Sequence, residues 1–118
     1  MANHNQLGKE GEALALAWLT QRGFAILHQN WRHSHYELDI VATHNNILHF
    51  VEVKTRRGTR FGEPEEAVNR SKIRRLLKAG AAYQYEYPQW KRVQYDVLSI
   101  TLVEGHAAEY FFIEDVYL

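Results

Sequence analysis

None of the 118 residues is cysteine, which excludes disulfides and thiolate zinc sites and is compatible with an intracellular compartment. The two prolines act as punctuation. Pro64 fits the first turn of a short helix, where its missing N–H costs nothing, and Pro88 ends a long one. No apolar run approaches the roughly 20 residues that a membrane span needs. The N-terminal stretch MANHNQLGKEGE has no basic region followed by an apolar run, so no signal peptide is visible. The expectation is one cytoplasmic domain over residues 1–118, long enough for a single core. Net charge is also missing, at +0, but the balance conceals an asymmetry. Between Lys54 and Lys78 nine basic residues face three acidic ones, and the rest of the chain carries the compensating negative charge. A basic segment directly after an acidic cluster suggests a polyanion held over that cluster, although a basic helix taken alone is more often a solvated face.

The acidic cluster lies in residues 36–54, YELDIVATHNNILHFVEVK, which read as two strands joined by a turn. Asn45-Asn46 tolerates the positive φ that a two-residue hairpin loop needs. Such a loop pairs His44 with Ile47; counting outward sets Asp39 opposite Glu52 and Glu37 opposite Lys54. A three-residue loop would instead set Asp39 opposite Val51. Side chains two apart in a strand share a face, so all four charged residues are expected on one face. Their neighbours Leu38, Ile40, Val41, Phe50, Val51 and Val53 are apolar, and both faces read as largely buried. Opposed residues have Cβ atoms roughly 4.5–5.5 Å apart, where like charges destabilise a sheet. Two carboxylates there need a cation. Mg²⁺ suits them, because it is typically held by one or two carboxylates plus water and phosphate oxygens.

Around this hairpin the chain alternates between helical and extended patterns. Residues 7–22 read as a helix, with Gly11, Leu14, Ala15, Trp18 and Leu19 at three- and four-residue spacing and Gly23 as its stop. Glu10 and Glu12 sit near its start, where the helix dipole favours negative charge. Residues 24–29 read as a strand, 30–35 as a connection, and 55–63 as a loop. Ser71 is the expected cap of a second helix to about Tyr87. Ile73, Leu76, Leu77, Gly80, Ala81 and Gln84 form one side of that helix and Arg74, Arg75 and Lys78 the other. Tyr83 and Tyr87 are expected to pack and Tyr85 to be exposed. Residues 93–103 and 108–113 complete the strands. The order α-β-β-β-α-β-β predicts an α/β fold with a mixed sheet and helices on its faces.

Asp39, Glu52 and Lys54 together form an Asp, spacer, Glu-x-Lys pattern that suits phosphodiester hydrolysis. Carboxylates can hold a metal that polarises a phosphoryl oxygen and lowers the pKa of bound water. A lysine on the same face can position that water or stabilise charge on the phosphate. The segments GKEGEALALAWLTQRGFAILHQNWR, ELDIVA and FVEVKTRRGTRFGEPEEAV, with Lys72 and the late YDVLSI, resemble the YraN-type bacterial proteins over nearly the whole chain. FVEVKTR is the most specific block. That family is a group of predicted endonucleases similar to archaeal Holliday-junction resolvases, in the restriction-endonuclease-like (PD-(D/E)xK) fold. The resemblance implies a central five-stranded mixed sheet flanked by helices, with Asp39, Glu52 and Lys54 as the catalytic core. It also implies a further acid from the first helix, Glu12, at the metal, which would be Mg²⁺ or Mn²⁺. Glu37 matches the glutamate of the family's Gly-Glu-(Ile/Leu)-Asp block. The family's glycine before it is Tyr36 here, and a tyrosine there either narrows access or stacks on a base.

The expected partner is nucleic acid, DNA rather than RNA, branched or single-stranded DNA included. Arg56, Arg57 and Arg60 are expected near the metal, and Lys72, Arg74, Arg75 and Lys78 along the backbone. A homodimer is compatible with cutting two strands. The competing expectation is a nucleic-acid-binding module that keeps the fold without the chemistry. The histidines offer a weaker zinc reading through His33 and His35, with His28 and His44 nearby, but no further ligands follow at a recognisable spacing. Trp18, Trp31 and Trp90 read as packing residues, Trp31 with the option of stacking on a base. Asp96, in an apolar strand, reads as a structural acid or a partner for a helix.

Overall fold

The computed structural model describes residues 4–58 and 69–116. The chain runs α1 (His4–Gln21), β1 (Ala25–His33), β2 (Tyr36–His44), β3 (Ile47–Arg57), α2 (Arg70–Glu86), β4 (Val93–Leu102) and β5 (Glu109–Ile113), the order read from the sequence. The strands lie in the order β1-β2-β3-β4-β5. β3 and β4 are parallel, and the other neighbours are antiparallel. A parallel pair needs a crossover, and α2 lies within it. Residues 59–68 of that connection, which include Arg60 and the turn expected at Pro64, lie outside the described residues.

Each helix covers one face of the sheet. Ala15 and Leu19 of α1 pack with Ile40, Ala42, Val51, Leu98 and Ile100. On the other face Ile73, Leu76, Ala79 and Tyr83 of α2 pack with Leu38, Val41, Leu48, Phe50 and Val97. The spacing read from α1 matches the stripe it buries; on α2 Ile73, Leu76 and Gly80 are buried as expected, but Ala79 and Tyr83 complete that stripe and Ala81 is exposed. α1 ends at Gly23, whose φ of +88° is open to a residue without Cβ. The Phe24 N–H then returns to Leu19 O at 3.1 Å, a helix-ending bond of the kind glycine permits. Tyr83 is buried and Tyr85 is 91% exposed, as the pattern predicted. No helix among the described residues is long and apolar enough to cross a membrane.

Three further local expectations are corrected. Residues 30–33 are strand rather than connection: Trp31 is buried against Tyr83, ring centroids 5.2 Å apart, and Arg32 pairs with Glu37 on β2. Burial of one large ring keeps the polar NWRH stretch in the sheet, and Trp31 is therefore not a surface for a base. A bulge between Ile26 and His28 and a left-handed Asn30, φ 52°, absorb the irregularity. The cap of α2 is Asn69, not Ser71, because the Asn69 side chain accepts from the Lys72 N–H at 2.9 Å. The loop expected from Thr55 begins later, since β3 continues to Arg57 in register with β4.

Asp96 is a structural acid. It is fully buried, and its Oδ2 lies 2.7 Å from His49 Nδ1 on β3. Its Oδ1 accepts from Gln94 Nε2 at 2.9 Å and from the Asp115 N–H at 3.0 Å. One carboxylate therefore joins β3, β4 and the segment after β5. Asp96→Ala leaves the buried His49 without its partner and frees the Gln94 and Asp115 donors, and is expected to lower the unfolding free energy by about 3 kcal/mol, measured by urea denaturation. A loss below about 1 kcal/mol would show that apolar contacts alone hold the segment.

Candidate active site

The hairpin closes through Asn45 and Asn46, with φ of 52° and 64°, the two positive values of a type I′ loop. The loop sets the register: His44 pairs with Ile47, and the ladder runs to Ile40 opposite Val51. Asp39 and Glu52 come next, where the expected register would oppose them, and there the β2–β3 ladder stops. Val53 still presents its N–H toward β2, but Asp39 Oδ2 accepts it, at 2.8 Å. A side chain has taken the place of a strand carbonyl. Beyond this point β2 stays with β1 through Leu38, Glu37 and Tyr36, and β3 stays with β4 through Arg57. The two strands fork, and Asp39 sits at the fork.

The fork opens Asp39 to both sides of the sheet. Toward α2 it lines a cavity of about 320 Å³ with Tyr36, Glu37, Glu52, Arg75 and Lys78 among its walls. Toward α1 it lines a second cavity, of about 210 Å³, with Gly8, Glu12, Lys54 and Thr55. Close approach of α1 to β3 makes the second cavity. A Cβ on Gly11 would fall on the Thr55 side chain, so only glycine lets the helix lie against the strand there. Glu12, the next residue, is thereby brought within electrostatic reach of Asp39 and accepts a long 3.5 Å hydrogen bond from Asn30.

The electrostatics follow from this convergence. Burial pushes the Asp39 carboxyl from its ordinary 3.8 up to about 7. The Val53 N–H opposes the shift, and the charges of Glu52, Glu12 and Glu37 add to it. Burial also raises Glu52, against the pull of Lys72, Arg75 and Lys54. Lys72 is lowered, first by burial and then by the neighbouring Lys54 amine, against the pull of Glu52.

Of the basic residues expected along a nucleic-acid backbone, Lys72 thus belongs beside Lys54 and Glu52, while Arg75 and Lys78 face the larger cavity. Arg74 is exposed. Arg56 donates to Thr101 Oγ1 at 3.4 Å, and Arg57 pairs with Glu10 at 3.4 Å. Glu37 meets Arg32 across an exposed 3.5 Å contact, worth little in water. The histidines pack on aromatic rings: His44 on Phe24, His28 near Tyr83, His33 over Trp31 and His35 over Tyr36.

Asp39 and Glu52, with Glu12 nearby, would offer carboxylate oxygens to a hard cation, which would offset the burial that raises both carboxyls. Among the described residues no group of three or more acidic or histidine side chains is arranged to hold an ion by itself. Two carboxylates completed by water and phosphate oxygens fit Mg²⁺ better than a closed protein cage does. A glycine inside the apolar stripe of the first helix was the available signal for the close approach that brings Glu12 in. Nothing local in the sequence signalled the amine pair.

Without divalent ions, the raised Asp39 gives a signed pH dependence. The unfolded chain releases this proton near 3.8 and the folded one near 7, so this carboxyl favours folding at low pH. Its contribution is lost as pH rises toward 7. Asp39→Asn keeps an acceptor for Val53 and removes the charge. In EDTA its Tm is expected to gain on wild type between pH 5 and about pH 7 and to level off above that, by differential scanning calorimetry. Mg²⁺ is expected to raise the wild-type Tm at pH 8 and leave the variant unmoved. A constant difference across the pH range would contradict the assignment.

Comparisons with known proteins agree on kinship. The model of Uncharacterised protein family UPF0102 matches residues 11–100. A UPF0102 protein of Bacteroides thetaiotaomicron is 46% identical over 106 residues, covering 90% of this chain and 88% of the relative. One of Phocaeicola vulgatus is 46% identical over 100 residues, 85% of this chain and 83% of the relative. One of Rhodococcus opacus is 39% identical over 118 residues, 99% of this chain and 100% of the relative. The matched span runs from the glycine under which Thr55 packs to the end of the buried core of β4, so it contains the fork and every acid and amine around it. The chain belongs to the UPF0102 family.

Proposed function

We infer that the chain is a metal-dependent endonuclease that hydrolyses phosphodiester bonds in DNA, on a restriction-endonuclease-like sheet, in the cytoplasm. The observation that carries this reading is the fork at Asp39. A half-buried carboxylate, fixed by a backbone N–H and raised to about 7, meets acids from two other elements and a pair of lysines. Perturbed groups gathered in a cleft mark functional sites more often than structural ones. The UPF0102 family is described as uncharacterised, so the reading rests on the geometry and on the resemblance of the motifs.

Asp39 and Glu52, with Glu12 in support, would hold Mg²⁺ or Mn²⁺. When bound, the ion supplies charge to a phosphoryl oxygen and lowers the pKa of water. The protein groups do the rest. Lys54 orients the attacking water or stabilises charge that grows on the phosphate, and Lys72 adds positive charge near Glu52. Arg75 and Lys78 draw the strand toward the carboxylates. A water oxygen attacks phosphorus and its proton passes to solvent, while the P–O bond to the leaving oxygen breaks and that oxygen takes a proton from solvent.

Incubation with branched, single-stranded and linear DNA in Mg²⁺ or Mn²⁺ tests this reading. Cleavage is expected to stop in EDTA and to fall about 100-fold or more in both Asp39→Asn and Lys54→Ala. Activity that survives both substitutions excludes this site. Salt-dependent DNA binding with no hydrolysis under any metal would leave a binding module instead.

A further inference from the structure

The cavity of about 320 Å³ beside Asp39 has a composition that metal chemistry alone does not require. One wall is aromatic. The His35 and Tyr36 rings lie 4.3 Å apart and tilted by 37°. His35 Nδ1 is 3.3 Å from Ser34 Oγ, which orients the imidazole on the tight β1–β2 turn. Tyr36 packs against the core under α2, so the wall is backed by fixed side chains. Arg75, Leu76 and Lys78 of α2 line the same cavity, and the acids Glu37, Asp39 and Glu52 complete its lining. Such a volume is at the small end of ligand pockets, roughly 300–1,000 Å³. It suits one flat ring with its phosphate rather than a base pair.

We propose that this cavity receives a single unpaired nucleotide of a DNA strand, with its base on the His35–Tyr36 wall and its phosphate toward Arg75, Lys78 and the carboxylates. The proposal rests on the nuclease reading above and names the substrate class, which is DNA with unpaired bases next to the bond to be cut. A duplex keeps its bases stacked on one another and has no free face to offer this wall. Every base has a π-face, so stacking of this kind accepts any sequence. The cations track the backbone and add strong salt dependence.

Fluorescence anisotropy in EDTA, where no cleavage intervenes, tests the site. The probes are a short labelled oligothymidylate, its fully abasic counterpart, and a duplex of equal length. Wild type is expected to bind the oligothymidylate about 10-fold or more tighter than the abasic strand, a stacking-sized difference. Tyr36→Ala should abolish that preference, and Tyr36→Phe should keep it. Equal binding of the two single strands by wild type overturns the proposal, and that arm does not depend on how any variant folds. A preference that survives Tyr36→Ala overturns it as well. Thymidine monophosphate that competes as strongly as the oligomer would replace the strand with a small molecule, and so also overturns it. Cleavage assays in Mn²⁺ with wild type and Asp39→Asn separate the two readings. Metal-dependent cleavage without base preference removes the nucleotide pocket and leaves the nuclease. Base preference without cleavage removes the nuclease and supports the pocket.

Discussion

A single hydrogen bond, from the Val53 N–H to the Asp39 carboxylate at 2.8 Å, organises the functional end of this molecule. A central strand must satisfy its backbone donors, and an unpaired buried N–H costs about as much as a lost hydrogen bond. Here the donor is met by a side chain, so β2 is free to leave β3 one residue after Ile40 and Val51. The same bond ties a carboxylate down inside the sheet edge. If a strand carbonyl took its place, the fork would close and Asp39 would line neither cavity.

The charge at the fork is tolerable because the elements converging on it carry opposite tendencies. α1 contributes Glu12 because Gly11 lets the helix sit on Thr55, while α2 contributes Lys72 and Arg75. Burial, with the neighbouring acids, raises Asp39, while Lys72, Arg75 and Lys54 oppose the burial that raises Glu52.

Stability is anchored elsewhere. The His49–Asp96 pair, buried among the strands on the far side of the Ile40–Val51 pair from the fork, gives the sheet a satisfied polar network that joins three segments. Such networks rigidify a core only when every member is paired, and Asp96 has three donors around it. The fold therefore separates a well-compensated acid, Asp96, from under-compensated ones at the fork. Burial alone cannot distinguish the two roles; the difference lies in the partners.

Much of this was legible in the chain. The period-two pattern of residues 36–54, the Asn45-Asn46 loop and the stripes of both helices determined the element order, the hairpin register and the nearness of Asp39 to Glu52, because turn chemistry and side-chain period are local properties. The exposed Tyr85 and the packed Tyr83 followed from the same helical period. What tertiary structure alone decided depends on contacts distant in sequence. Trp31 is kept in a strand by Tyr83. The ladder ends at Asp39 because a side chain accepts the Val53 N–H. Lys72 comes near Lys54 and Glu52, and His35 and Tyr36 line one cavity with Arg75. No local pattern encodes which amine meets which carboxylate when a helix crosses a sheet; that is decided by where the packed stripe of α2 rests.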